Sequence, residues 1–376
     1  MIDFSFTKAQ EEFRETVKRF AREEVKPKRE IWDRERKSAL PIIERFAAWG
    51  LLKPDMDNMT RGILTEEIAY VDFNSAMPLV WATLPFAVYQ FPGVPEKIKK
   101  PIQDRILRGE SFLAFCFGEP GAGTDMARFE TRAVKDGGEW VINGIKNTIS
   151  WVDADYYLVC AKTGSEEEGV WALTNYLVPA STAGVGSPKV WRDMGSRGAT
   201  RGAVHFANVR IPLDYMVGEM GKGYILASEF FDTNRAFIGL KCIGAAQASV
   251  DEACEYANKR VVMGKSISGY QAISLPLAEA QTLLEAGRLL CYKTLWKADL
   301  GERRSVEGAM CKWWIPEMTF EIVRKCLLVF GHYGYTEDLP LEQRLRDILG
   351  WQIGDGTAEP SKLIIARSMM GKENVG

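Results

Sequence analysis

The chain has 376 residues, with 48 Lys and Arg set against 50 Asp and Glu, for a net charge of −2. At roughly 100–200 residues per domain, that length makes two or three domains. The near-neutral balance gives no electrostatic reason for nucleic acid or a membrane surface as partner, and two histidines, His205 and His332, exclude a His-rich metal site.

The chain opens as a helix. Thr7 and Gln10 have capping-box spacing, and Phe13, Val17, Phe20 and Ala21 then share one face. Further helices are expected near residues 40–50, 64–73 and 95–107, the last ended by Gly109. Residues 1–110 therefore read as an α-helical domain. From 111 to 220 the chain turns to β-formers bounded by Gly and Pro. Residues 132–134 and 140–142 flank Asp136-Gly137-Gly138 as a hairpin, and strands are expected at 156–161, 170–178 and 202–209. Together these pieces predict a middle antiparallel β-domain. Beyond the glycine-rich stretch 218–223, helices are expected over 244–262, 275–299, 306–330 and 341–350, giving a C-terminal α-helical bundle over 221–376.

Seven cysteines, at 116, 160, 242, 254, 291, 311 and 326, are scattered and never form a C-x-x-C pair. That is thiol usage in a reducing compartment, so a cytoplasmic location is expected and a zinc site is not. No apolar run approaches 18 residues, so membrane insertion is not expected.

Four short segments could carry chemistry. Glu119-Pro120-Gly121-Ala122-Gly123-Thr124-Asp125 can bring backbone N–H groups to a phosphate or a flavin ring. It is neither a dinucleotide fingerprint, since Met126 stands at the third glycine position, nor a P-loop. Alone, it reads most simply as a connecting loop. Asp355, in Gly354-Asp355-Gly356-Thr357, has glycines on both sides that allow a ligand close to its carboxylate. A lone Asp-Gly is usually a turn. Asp232 and Arg235, after Phe231, read most simply as a capping carboxylate and an i,i+3 pair at a helix start. Trp81, Phe86, Tyr89 and Phe91 form an aromatic run whose simplest reading is core packing.

In order, these pieces resemble the acyl-CoA dehydrogenase family over essentially the whole chain. The match rests on residues 117–127, 142–146, Ala154-Asp155, 195–223, 256–271 and 334–367, the last with Arg346-Asp347 and Asp355-Gly356-Thr357. The resemblance implies multidomain α+β architecture: an N-terminal helical bundle, a middle β-domain and a C-terminal four-helix bundle, usually in a homotetramer. It implies FAD between the β-domain and the C-terminal bundle, an acyl-CoA thioester against the flavin, and electron-transfer flavoprotein as acceptor. By position, Phe117 and Gly118 would line the flavin with Ser150 across from it, and Gly123 and Thr124 would meet cofactor phosphate or CoA. Arg260, Gln271 and Thr357 match FAD-contacting positions. Phe231, Asp232 and Arg235 match the CoA side and the base-orienting position, and Phe86 and Tyr89 the acyl-pocket wall. Asp355 matches the catalytic base, where most of the family has glutamate.

The chain departs from the family pattern at Gly118, Thr148, Met263, Leu328, His332 and Glu359, all at cofactor-facing positions. Asn234 stands where some members carry an alternative glutamate base. The shorter aspartate withdraws the carboxylate by roughly 1.5 Å, one C–C bond. A compact substrate, such as cyclohexane-1-carboxyl-CoA, could sit nearer to it. The alternatives that stay open are a dehydrogenase of short straight or branched acyl chains, an enoyl-CoA reductase of the same fold, and a non-catalytic protein that keeps the fold for assembly or binding.

Overall fold

The structure, a computed structural model, describes residues 5–84 and 90–375. Among the described residues six α-helices come first: α1 (Lys8–Phe20), α2 (Arg29–Asp33), α3 (Ile42–Ala48), α4 (Asn58–Val71), α5 (Phe73–Trp81) and α6 (Glu96–Leu107). The expected capping box at α1 forms in both directions: Gln10 N–H donates to Thr7 Oγ1 at 3.2 Å, and Thr7 N–H to Gln10 Oε1 at 3.0 Å. Val17, Phe20 and Ala21 are buried. The single helix expected over 64–73 is part of two. Asp72 adopts an extended backbone that ends α4, and its side chain accepts from Ser75 N–H at 2.8 Å to start α5.

Eight strands follow: β1 (Leu113–Cys116), β2 (Arg132–Asp136), β3 (Glu139–Ile149), β4 (Tyr156–Lys162), β5 (Leu173–Pro179), β6 (Lys189–Val190), β7 (Gly202–Pro212) and β8 (Met216–Val217). They form one sheet in the order β6-β7-β3-β2-β4-β5-β8, with β1 against β4. The expected hairpin is present. Asp136 pairs with Glu139 around Gly137-Gly138, and Gly137 takes the positive φ of +61° that this tight turn requires. One correction applies to the antiparallel expectation: β1 runs parallel to β4, in register Leu113 with Tyr156, and β2 meets β4 in parallel at Arg132 and Lys162. Every residue of β1 is buried, as suits a strand covered on both faces.

The C-terminal bundle consists of α7 (Gly223–Lys259), α8 (Gln271–Asp299), α9 (Ser305–Val329), α10 (Leu341–Ile353) and α11 (Ala358–Met370), with a small hairpin of β9 (Val261–Val262) and β10 (Lys265–Ser266) between α7 and α8. Helix α7 begins 21 residues before the expected 244. From Thr233 to Ala246 it is buried on nearly all sides, so no amphipathic period marks that stretch. It packs on α4, α8 and α9. Gly239 makes that approach possible, since a Cβ there would lie 3.0 Å from Ile315. Among the described residues, no helix is long and apolar enough to cross a membrane.

Candidate active site

The turn between α10 and α11 places Asp355. Gly354 N–H closes α10 on Gly350 O at 2.8 Å, Asp355 then takes φ +57°, Gly356 takes φ +98°, and Thr357 begins α11. A left-handed aspartate costs roughly 1–2 kcal/mol, a strain characteristic of functional turns. The turn aims the carboxylate at α7. Asn234 Nδ2 donates to Asp355 Oδ2 at 3.0 Å, and Trp81 Nε1 donates to Asn234 Oδ1 at 3.2 Å.

Asp232 and Arg235 do form the expected pair, Nη1 to Oδ1 at 2.9 Å. They do not stand at a helix start, because α7 runs on from Gly223 and carries them in its interior. Asp232 is therefore no cap. Its second oxygen accepts from the Ser305 hydroxyl instead. Phe231 is partly buried and lies 5.8 Å, ring to ring, from Phe117.

Burial pushes the Asp355 carboxyl above its ordinary value, while Lys312, Arg201, Arg235 and Lys241 all pull it back. Lys312 donates to Trp351 O at 2.8 Å, and burial holds its ammonium down at about 8 against the attraction of Asp355. Lys241 is buried between Phe73 and Trp351, with its nitrogen 3.9 and 4.6 Å from their ring centroids. Four basic side chains thus favour the ionised form of one carboxylate.

The glycine-rich loop is pinned from below. Glu119 and Ala122 close a turn on each other's backbone, and Lys146 donates to Glu119 Oε1 at 2.7 Å and to Phe117 O at 2.8 Å. Burial alone would raise the Glu119 carboxyl, but Lys146 and donors at Glu130 and Thr131 hold it below the usual carboxylate range. Above that anchor, Gly123 and Thr124 are exposed, and a Cβ at Gly121 or Gly123 would meet nothing. Gly118 is tighter: a Cβ there would lie 3.1 Å from both Asn147 O and Thr148 Oγ1. Beside it Thr148 and Trp151 take φ of +57° and +56°, with Ser150 between them receiving Arg201 Nε at 3.4 Å. Ser196 and Thr200 are also left-handed, at +49° and +39°. Strained backbone gathers along this side of the sheet.

The structure brings Asp355, Asp232, Arg235, Phe231 and Phe117 together around residues 231–235, in the interior of α7. Arg260 and Gln271 stand apart, exposed at the two ends of the β9–β10 hairpin, and Thr357 is exposed on α11. Met263 is 93% exposed at that hairpin's tip. Phe86 and Tyr89 lie outside the described residues. Trp81 and Phe91 are buried. Sequence reasoning missed the donor role of Asn234, the indole N–H of Trp81, and the cations Lys241 and Lys312. Asn234 and Lys241 are seven residues apart and share one face of α7, but the helix expected from sequence began only at 244, so that spacing gave no signal.

The donors fit a phosphate-bearing planar cofactor. An outward loop of small residues, the hydroxyls of Thr124, Ser150 and Thr357, the guanidinium of Arg260 and the amide of Gln271 supply neutral and positive hydrogen-bond donors. Three domain models of one family match in sequence: acyl-CoA dehydrogenase N-terminal domain over residues 7–93, middle domain over 114–209 and C-terminal domain over 221–370. Relatives include a 3-(aryl)acrylate reductase of Clostridium sporogenes, 30% identical over 376 residues that cover 97% of this chain and 99% of the relative. A cyclohexane-1-carbonyl-CoA dehydrogenase of Geobacter metallireducens is 32% identical over 309 residues, 81% of this chain and 80% of the relative. Among solved structures, butyryl-CoA dehydrogenase from Megasphaera elsdenii superposes with a TM-score of 0.92 at 27% identity, covering 98% of this chain and all of that one. The chain belongs to the acyl-CoA dehydrogenase family, as an FAD-dependent oxidoreductase acting on CH–CH bonds.

Proposed function

We propose that the enzyme dehydrogenates a compact, cyclic acyl-CoA such as cyclohexane-1-carboxyl-CoA, with Asp355 as the base that takes the α-proton. One observation carries this reading: a strained, glycine-flanked aspartate projects from the α10–α11 turn onto Asn234 in the interior of α7, where four basic side chains favour its ionised form. FAD, when bound, accepts the β-hydrogen as hydride. Arg201, Arg235, Lys241 and Lys312 favour the ionised carboxylate before the proton arrives. Arg235 holds Asp232 on the CoA side. Phe117, Gly118, Gly123, Thr124, Ser150, Arg260, Gln271 and Thr357 would hold the cofactor. Trp81 narrows the acyl side, with its ring 5.0 Å from Trp151 and 5.1 Å from Phe115. That aromatic bulk and the short base both favour a ring over a long linear chain. We further propose domain borders near 110 and 220, a homotetramer, and electron-transfer flavoprotein as acceptor.

The likeness to a 3-(aryl)acrylate reductase supports a second reading, reduction of the corresponding enoyl thioester. Anaerobic bleaching of the bound flavin separates the two, using cyclohexanecarboxyl-CoA, isobutyryl-CoA, butyryl-CoA and octanoyl-CoA. The cyclic thioester is expected to give the highest kcat/KM. Preference for octanoyl-CoA or butyryl-CoA overturns the ring assignment, and failure of every acyl-CoA to bleach, with rapid reoxidation by the cyclic enoyl-CoA, favours the reductase. Asp355→Asn is expected to retain FAD and lose at least about 10²-fold in turnover.

A further inference from the structure

We propose that Asn234 is a positioning residue for Asp355, and that Trp81 acts through Asn234 to tie the aromatic acyl-side wall to the orientation of the base. The inference rests on the reading of Asp355 as base.

The polarity of the Asn234 amide is determined from both sides. An indole N–H can only donate, so Trp81 must meet the amide oxygen. An ionised carboxylate can only accept, so Asp355 must meet the amide nitrogen. The observed 3.2 Å and 3.0 Å contacts satisfy both requirements at once. Asn234 is 1% exposed, so water offers it no alternative partner. Turning the amide over would set two donors face to face and two acceptors face to face around a buried side chain, which is costly. The Trp81 N–H thus keeps Nδ2 pointed at Asp355.

The contact also distinguishes the two carboxylate oxygens. Oδ2 carries the Asn234 hydrogen bond, whereas Oδ1 has no hydrogen-bond partner among the described residues. Oδ1 is therefore the oxygen that receives the α-proton. Trp81 in turn is wedged edge-on against Trp151, Phe115 and Phe230, at 5.0, 5.1 and 6.0 Å between centroids. An acyl group that displaces this indole loosens the amide, and with it the base. A substrate that leaves it in place finds Oδ1 correctly set. Size discrimination thereby acts on the chemical step as well as on binding.

The test uses the FAD-loaded enzyme with Trp81→Phe, Asn234→Leu, Asn234→Asp and Asp355→Asn. Two quantities are read: the pH profile of kcat/KM, and exchange of the thioester α-hydrogen with D2O, which reports proton abstraction without requiring hydride transfer. A donated N–H favours the ionised carboxylate, so its loss should move the acid limb to higher pH, by about one unit in Asn234→Leu. Trp81→Phe should move it less, with kcat falling about three- to tenfold and KM little changed. Asn234→Asp should move it furthest, because a second carboxylate within about 3 Å resists joint ionisation. Asp355→Asn should abolish exchange; if exchange survives, the base assignment itself falls. If Asp355→Asn abolishes exchange but Trp81→Phe and Asn234→Asp keep the wild-type acid limb and kcat, the base stands and the positioning role is overturned. Trp81→Phe leaves Asn234 in place, so it decides the question even where Asn234→Leu fails to retain FAD.

Discussion

Lys146 in the β-sheet and Lys241 in the helical bundle are both buried, and the protein treats them in opposite ways. Lys146 donates to a carboxylate and a carbonyl, at 2.7 and 2.8 Å, above the Phe129 ring. Lys241 lies against two aromatic faces and has no hydrogen-bond acceptor among the described residues. Its acidic neighbours are satisfied elsewhere. Asp347 accepts from Ser196 N–H, Asp72 from Ser75 N–H, and Gln343 bridges the two. Burial lowers the Lys241 ammonium to about 7 against the pull of Asp347, and burial raises Asp347 to about 7. The difference separates two uses of a buried charge. In the sheet it locks the loop that carries Gly121, Gly123 and Thr124. In the bundle it supplies a field near Asp355.

Lys146→Met should have the larger effect. It leaves Glu119 buried without its cation, a change that costs about 3–5 kcal/mol when a paired partner is removed. Loop residues 117–131 should loosen as well, so FAD content should fall with the melting temperature. A loss below about 1 kcal/mol, with FAD retained, would mean that the pair is not the anchor of the loop.

Lys241→Met should cost less, about 1–2 kcal/mol at pH 7, because no hydrogen bond is broken and Asp347 can take up a proton. The pH dependence carries the distinction. Asp347 binds its proton more tightly folded than unfolded, so stability falls as pH rises from about 4 to the folded value. Without Lys241 that folded value moves above about 7, and the fall should continue into the alkaline range. Thermal melts of variant and wild type from pH 5 to 9 check this; a constant offset between the two curves breaks the comparison.

What could be read in advance follows the same division. The α1 cap, the Gly137-Gly138 hairpin and the order of helices and strands depend on neighbours in sequence, and local patterns disclosed them. The stretch of α7 from Thr233 left no amphipathic trace, because burial on nearly every side removes the contrast that periodicity needs. Asp355 stood out only through the family resemblance, since its two glycines alone read as a turn; the left-handed φ they flank became visible in the structure. Asn234 was legible only as a residue unable to act as base. Its partners Trp81 and Asp355 lie 153 and 121 residues away, and no local pattern encodes such a relay. Lys241 gave no signal of its own, since its surroundings come from α5, α7 and α10 together.

Asp347→Asn should have the smallest effect and make the sharpest statement about the bundle. The new Oδ1 can keep the Ser196 N–H bond, and Gln343 can turn its amide toward the new side chain. Near neutral pH the wild-type carboxyl is already partly protonated, so little ionic attraction is lost. Stability at pH 7 should change by no more than about 1 kcal/mol. The shape of the curve should change more than its height. In the wild type, Asp347 makes the folded state bind more protons than the unfolded state between about pH 4 and 7, which lowers stability as pH rises. Lys241 does the reverse above about 7, where the folded state binds fewer protons and stability increases with pH. Removing Asp347 deletes the first contribution. It also takes away the main attraction that holds a proton on Lys241, so the second contribution should begin at lower pH. The difference in melting temperature, variant minus wild type, should therefore climb between pH 5 and 7. A flat difference would show that the Asp347 carboxyl is not raised in the folded state, and would remove the basis for a field shared with Lys241.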